Sequence, residues 1–358
     1  MDYQTRKGND NTRIYPKVIE ALKYESSTTE PIIQVKTNSQ GIESYQEGVA
    51  CKSYSLTNTY YEAGLIEYEI KTPEILSKRK KQLFDLLKKA QENVICKNLI
   101  GLYSKIDLPS EEDLFIEAKR LVKIKYTNKK GKRLTFLNKH PKSYFEDGSL
   151  RSFVEDDIQL FQYLTKNNYR IPTIGCYKSG GRVVDSFVLM PSWIRRHTKI
   201  DGEFIVEVDF KALHPNIAMS IYGGSKQFLT HDLVAEESNI PKNIVKIEHL
   251  SFFNETLGGM KRNPLYQYYK EAEPEMLQII EEEKRNSKFK HKITSMKMFA
   301  KEVQIMTECI KELNARGIYV GYVYDALFCK VIQVEIVKEV MDKIVMECEV
   351  YTTASINY

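Results

Sequence analysis

Two short apolar runs, each delivering an aspartate to a strand end or a tight turn, constrain this chain more than any other feature. The first, Glu203 to Asp209 (EFIVEVD), carries apolar residues at Phe204, Ile205, Val206 and Val208, and its aspartate leads into Phe210-Lys211-Ala212-Leu213-His214-Pro215. That pattern predicts a buried strand ending in a carboxylate. The second, GIYVGYVYDALFCK, predicts a strand pair, Ile318 to Tyr324 and Leu327 to Val331, with Asp325-Ala326 in the two-residue space of a hairpin. A helix over 291–315, stopped at Gly317, precedes it. Two carboxylates on neighbouring strand ends of one sheet can hold divalent cations. Magnesium takes hard oxygen ligands and is commonly bound by one or two carboxylates plus substrate phosphates. Each aspartate taken singly suits an ordinary turn or cap equally well.

The charge is distributed unevenly. Over 358 residues, 53 Lys+Arg against 48 Asp+Glu leave a net charge of +5. Residues 78–142 alone hold 18 Lys/Arg against 7 Asp/Glu, so the remainder is slightly acidic. Such a run is the footprint of phosphate-backbone binding, and it also suits a solvated helix face. Residues 1–72, rich in Thr, Ser, Tyr, Asn and Gln with β-branched runs such as Ile32 to Val35, read as loops and a few strands. From Pro73 the pattern turns helical, with Ile75, Leu76, Leu83, Leu86, Leu87 and Ile95 at helical spacing. Ser110 caps a second helix, Glu111 to Val122. Alternation at Val122, Ile124 and Tyr126, then Leu134 and Phe136, reads as a hairpin. Its basic tip, Lys129, Lys130, Lys132 and Arg133, can rest on phosphates or serve as a charged turn that discourages edge pairing. A further helix covers 154–166.

Several classes drop out. No run approaches the roughly 20 apolar residues of a membrane span, and the N-terminus has no apolar leader, so a cytoplasmic protein without a membrane partner is expected. Cys51, Cys96, Cys176, Cys309, Cys329 and Cys348 are scattered without CxxC or Cys/His clusters, which argues against a disulfide framework or a zinc site.

With these residues in place, 175–332 resembles the palm-type nucleic-acid polymerases, most closely a small member of the family A DNA polymerase and phage-type single-subunit polymerase superfamily. Asp209 to Ile217 (DFKALHPNI) looks like motif A and also echoes the family B form of that motif. Tyr324-Asp325-Ala326 looks like motif C. Between them Lys242, Lys246 and Leu250 match the Arg-x3-Lys-x3-apolar spacing of motif B, and upstream Gly181-Arg182, Pro191 and Arg195-Arg196 resemble the stretch ahead of motif A. Motif C lacks the acid that follows its aspartate in family A, since Ala326 stands there, and motif B lacks its aromatic-Gly ending. The 116-residue interval from Asp209 to Asp325 leaves room only for short fingers.

The resemblance implies an α+β right hand: an N-terminal irregular/β region (1–72), a basic, helical, thumb-like region (73–170), an antiparallel-sheet palm (171–221 and 290–358) and reduced helical fingers (222–289). It implies that Asp209, Asp325 and the Phe210 carbonyl bind two Mg2+ ions, with Mn2+ able to substitute. Lys246 would contact the triphosphate and protonate the leaving pyrophosphate, and Lys242 would hold the terminal phosphate. His214, five residues after the motif A aspartate, stands at the sugar filter, where a bulky side chain blocks a 2′-hydroxyl. It also suits a plain helix cap beside Pro215. Arg195 and Arg196 would lie near the nucleotide, and Arg182, Tyr324 and the basic tip near template and primer. An arginine beside Trp193 also suits plain packing. The implied activity is template-directed addition of dNTPs to a primer 3′ end, with a DNA template-primer, dNTPs and replication accessory proteins as partners. A chain this small suits a phage, plasmid or mobile element. No Asp-x-Glu exonuclease motif lies ahead of the basic segment, and there is no P-loop or zinc-binding primase module, so helicase and proofreading roles are not expected. Two rivals stay open: a primase or RNA polymerase using NTPs, and a catalytically silent nucleic-acid-binding protein on a polymerase-like palm.

Overall fold

In a computed structural model, residues 14–26, 29–35, 37, 54–62, 69–128, 131–137, 150–166, 170–224 and 228–357 are described. The chain divides into two compact units, 1–76 and 77–358. In the first, strands Ile33–Val35 and Tyr54–Leu56 pair antiparallel with Gln34 opposite Ser55, accompanied by helices Ile14–Leu22 and Asn58–Glu62. Thr57 fastens the strand pair, its amide donating to the Ile32 carbonyl (3.1 Å) and its hydroxyl to the Pro31 carbonyl (2.7 Å). Among the described residues no helix is long and apolar enough to cross a membrane.

The second unit is a mixed helix-and-sheet structure built on an antiparallel sheet of six strands. In order across it lie Gly321–Val323, Ala326–Lys330, Glu203–Phe210, Lys199–Ile200 and Ile106–Asp107; Ala354–Asn357 pairs with the C-terminal half of Glu203–Phe210. Strand Glu203–Phe210 is central because its alternation serves two faces. Val206, Val208 and Phe210 enter the main core, while Ile205 packs on the opposite side with Phe187, Ala326 and Phe328. The 24-residue helix Lys292–Ala315 lies against the core face together with helices Leu213–Tyr222, Val94–Tyr103 and Val334–Glu347. It ends where Gly317 takes φ +73°, a left-handed geometry that glycine adopts without a Cβ penalty. Five helices between residues 231 and 286 contribute Val234, Val245, Met260, Tyr269 and Ile280 to this same core.

Four expectations change. The helix expected from Pro73 through Ile95 is two helices, Pro73–Gln91 and Val94–Tyr103, because the Asn93 side chain accepts from the Cys96 amide (3.0 Å) and opens a new helix. The first arm of the expected basic hairpin is instead the end of helix Glu111–Lys123, capped by Ser110 as foreseen. An antiparallel bridge does follow, Thr127 opposite Arg133 with the Leu134 amide donating to the Tyr126 carbonyl (3.0 Å), but strand Arg133–Thr135 finds its ladder in parallel with Arg151–Phe153. The basic run 78–142 is shared between cores rather than gathered into one region. Buried Asn98 exchanges hydrogen bonds with the Val320 backbone (2.6 and 3.1 Å), Ile106–Asp107 is a sheet strand, and Glu111–Lys123 belongs to a second core with Val154–Thr165 and Trp193. Lastly, the Asp325 hairpin turns one residue earlier than expected: Val323 pairs with Ala326, leaving Tyr324-Asp325 as the turn. The ladder to Glu203–Phe210 extends as far as Ala326 and draws it into the sheet.

Candidate active site

The register brings the two sequence-predicted aspartates together. Asp209 lies directly opposite Ala326 on one side and Ser355 on the other, so Asp325, next along from Ala326, stands at the tip beside it. A non-glycine residue with left-handed backbone stands near each aspartate: Ala212, three residues after Asp209, at φ +47°, and Tyr324, immediately before Asp325, at φ +56°. Such conformations cost on the order of 1–3 kcal/mol and persist where surrounding contacts hold them. Buried Asn216 holds the first, donating to the Ala212 carbonyl (2.9 Å) and the Leu229 carbonyl (2.8 Å) while accepting from the Leu229 amide (2.9 Å). At Tyr324 the left-handed angle occupies the first position of a two-residue hairpin turn, where primed turns require it.

The centre of the site is a carboxylate that sequence reading missed. Glu302, fully buried on helix Lys292–Ala315, takes Arg182 in a bidentate grip (Nε to Oε1 2.7 Å, Nη2 to Oε2 2.5 Å) and has His214 Nε2 2.7 Å from Oε2. The Arg182 guanidinium lies between two rings, 3.7 Å from the Phe299 centroid and 4.7 Å from that of Tyr324. His214 also packs on Phe299, with centroids 5.6 Å apart. Arg182 reaches this position because Gly180, at φ +64°, lets its loop touch the long helix; a Cβ there would run into the backbone at Phe299–Ala300. The sequence does hold one signal: Glu302 interrupts the buried stripe Met298, Ile305, Met306, Cys309, and an acid on an apolar stripe needs a partner.

Electrostatics bind this cluster to Asp325. Burial pushes the Asp325 carboxyl up, and the negative charge of Glu302 adds to the rise, while His214 and Arg182 act against it. Burial alone would also raise Glu302, but hydrogen bonds from His214 and Arg182 outweigh it and hold the carboxyl below its ordinary value.

Other sequence-predicted residues lie differently. Arg195 lies in the interior. It is 8% exposed, and its guanidinium donates to the carbonyls of Phe187 (3.0 Å), Val188 (3.1 Å) and Met190 (2.8 Å). Burial brings its pKa down to about 10. Those bonds commit it to the protein's own backbone rather than to a nucleotide. Arg182 is likewise committed to Glu302 instead of an open phosphate site. Arg196 is exposed, with Nη2 3.8 Å from Glu207 Oε2. Lys242 and Lys246 are exposed on helix Lys242–His249; Lys242 Nζ is 2.7 Å from Asp232 Oδ1, and the charge of Lys246 acts on His231. The Phe210 side chain is buried in the main core. Lys132 is half-buried and Arg133 exposed, whereas Lys129 and Lys130 lie outside the described residues.

Among the described residues, no group of three or more His, Cys, Asp or Glu side chains converges as a metal cage. The donors present still fit magnesium: Asp209 on the strand and Asp325 in the adjoining turn supply hard oxygens, and a cation there would offset the burial and then the Glu302 charge that raise the Asp325 carboxyl. Ala326 supplies no third carboxylate, being 3% exposed against Phe187 and Phe328.

No protein-family model matches the chain, and no curated protein matches it. Among solved structures it is similar to the POL domain of Pol1 from M. smegmatis in complex with DNA primer-template and dNTP, with a TM-score of 0.42 and 10% sequence identity over 77% of this chain and 65% of that one. The chain spans about 65% of the length of that domain.

Proposed function

We propose that this chain is a template-directed DNA polymerase that adds dNTPs to a primer 3′ end by metal-assisted phosphoryl transfer. The observation that carries the reading is the register that sets Ala326 directly opposite Asp209 and so brings Asp325, in the adjoining turn, beside it. On this reading the sheet is the palm, the helices of 222–289 are reduced fingers, and the basic segments of 73–170 hold the duplex in the manner of a thumb. Asp209, Asp325 and the Phe210 carbonyl would hold the ions. When bound, two magnesium ions, or manganese in their place, supply charge neutralisation at the attacking oxygen, the transferring phosphoryl group and the leaving pyrophosphate. The protein's own task is positioning. The sheet fixes the spacing of the carboxylates, and the strained turn at Tyr324 aims Asp325. Arg182, neutralised by Glu302, stiffens the wall beside them. Lys242 and Lys246 are the candidates for the triphosphate, with Lys246 as proton donor to pyrophosphate; Arg196, Lys132 and Arg133 are candidates for phosphate contact. A cytoplasmic role in copying a phage, plasmid or mobile element belongs to the same proposal.

Primer extension with magnesium or manganese tests it. Asp209→Ala and Asp325→Ala are each expected to lower incorporation at least about a hundredfold. Incorporation surviving both substitutions would remove these residues from the site. Omitting primer and supplying NTPs separates a primase or RNA polymerase. One observation favours a second reading: packed Ala326 stands where motif C of family A has an acid, so Asp209 and Asp325 are the two motif carboxylates. A protein that retains template-primer binding but incorporates nothing with either metal is a binding module.

A further inference from the structure

His214 begins the helix that follows the Asp209 strand, and its imidazole is held from three directions. Nε2 lies 2.7 Å from Glu302 Oε2 and 3.2 Å from Arg182 Nη2, and the ring packs on Phe299. Arg182 has only donors, so it cannot serve as acceptor for the histidine. A bare Nε2 lone pair 2.7 Å from a carboxylate oxygen would repel it; Nε2 therefore carries a hydrogen and donates to Glu302. Arg182 and His214 thus donate side by side to Oε2, and the second Glu302 oxygen takes the Arg182 Nε–H. The anchor is fully buried while the His214 side chain keeps 24% of its surface, so the ring faces the site from a fixed base. It is close enough to act on the Asp325 carboxyl.

We propose that Glu302 is a positioning residue that locks the His214 ring in place and so sets which sugar the site admits, excluding the 2′-hydroxyl of ribonucleoside triphosphates. The proposal rests on the polymerase reading above. Steric exclusion needs a side chain that cannot swing aside. A free histidine has two soft torsions; a doubly anchored carboxylate, itself clamped by Arg182, removes them. Selection is therefore encoded in the long helix, 88 residues from the ring it controls.

The test measures incorporation of dNTPs and NTPs in parallel. Because it is a ratio within one enzyme preparation, loss of folded protein cancels. Glu302→Met keeps an apolar stripe and similar volume but offers no acceptor. It is expected to lower the dNTP/NTP preference about tenfold to a hundredfold. His214→Ala should lower it comparably, and Glu302→Met added to His214→Ala should change it no further. An unaltered ratio in Glu302→Met, or equal losses from Glu302→Met with and without His214, overturns the proposal while leaving the polymerase reading standing. A wild-type protein that uses both sugars alike does the same. A wild-type protein that extends no primer overturns both. NMR of the wild-type protein labelled at histidine nitrogens gives a readout independent of activity: a protonated His214 Nε2 is expected, and an unprotonated one overturns the anchor.

Discussion

Helices Lys292–Ala315 and Lys242–His249 both set charged residues among apolar ones, and the fold treats them in opposite ways. In the first, Glu302 is wholly buried and meets an arginine and a histidine from two distant segments. In the second, the lysines stay exposed, and the buried polar residue is His249, whose Nδ1 is 3.0 Å from His231 Nδ1 and whose Nε2 is 2.8 Å from the Tyr269 hydroxyl. Burial without a counter-charge keeps that histidine neutral; hydrogen bonds from an arginine and a histidine keep the buried glutamate ionised. The difference teaches that a buried charge is fixed by its partners, while an exposed one remains available for a ligand.

Removing the partner of a buried charge should have the largest effect on this contrast. Glu302→Ala leaves Arg182 and His214 without their acceptor and should destabilise the protein by about 3–5 kcal/mol in denaturant titration. A loss no larger than that of a surface substitution would mean that water replaces the carboxylate. The neutral region should respond to acid. Burial, then the neighbouring His231, holds the His249 pKa at about 3 against an ordinary 6.5. The unfolded chain therefore binds a proton that the folded one refuses between those values, so stability should rise with pH across this window and be fully present above it. The slope is about 1.4 kcal/mol per pH unit. His231 is itself held low, by burial first and then by Lys246, with Lys242 in the same sense and Asp232 opposing, so it steepens the response. Thermal melts of wild type and His249→Phe at several pH values check this, the variant giving the flatter profile.

A third test concerns the approach that assembles the buried pair. Gly180→Ala places a Cβ against the long helix at a left-handed φ and should cost about 1–3 kcal/mol, with weaker Arg182–Glu302 coupling in a double-mutant cycle. The smallest effect is expected at the exposed helix. The Lys242–Asp232 pair, at 61% and 70% exposure, should change stability by less than about 0.5 kcal/mol in Lys242→Ala. If the lysine serves the triphosphate, the same variant raises the KM for dNTP without altering the melting temperature.

Much of the frame was legible locally. Alternation in EFIVEVD gave the central strand, Ser110 the cap of its helix, and Gly317 the end of the long helix, because each signal lies within a few residues of the structure it causes. The hairpin turn was displaced by one position since its register depends on a third strand, which pulls Ala326 into the ladder. Arg195 looked like Arg196 in sequence; only folding shows that the first spends its N–H groups on three carbonyls while the second stays exposed.

The sequence by itself determined that two apolar runs would each carry an aspartate to a strand end or a turn and that a long helix would precede the second, since period and turn chemistry are short-range properties. Tertiary structure alone decided which charges would meet. Arg182, His214 and Glu302 lie up to 120 residues apart along the chain, and their pairing is chosen by the cost of burying a charge unpaired, which no local pattern encodes.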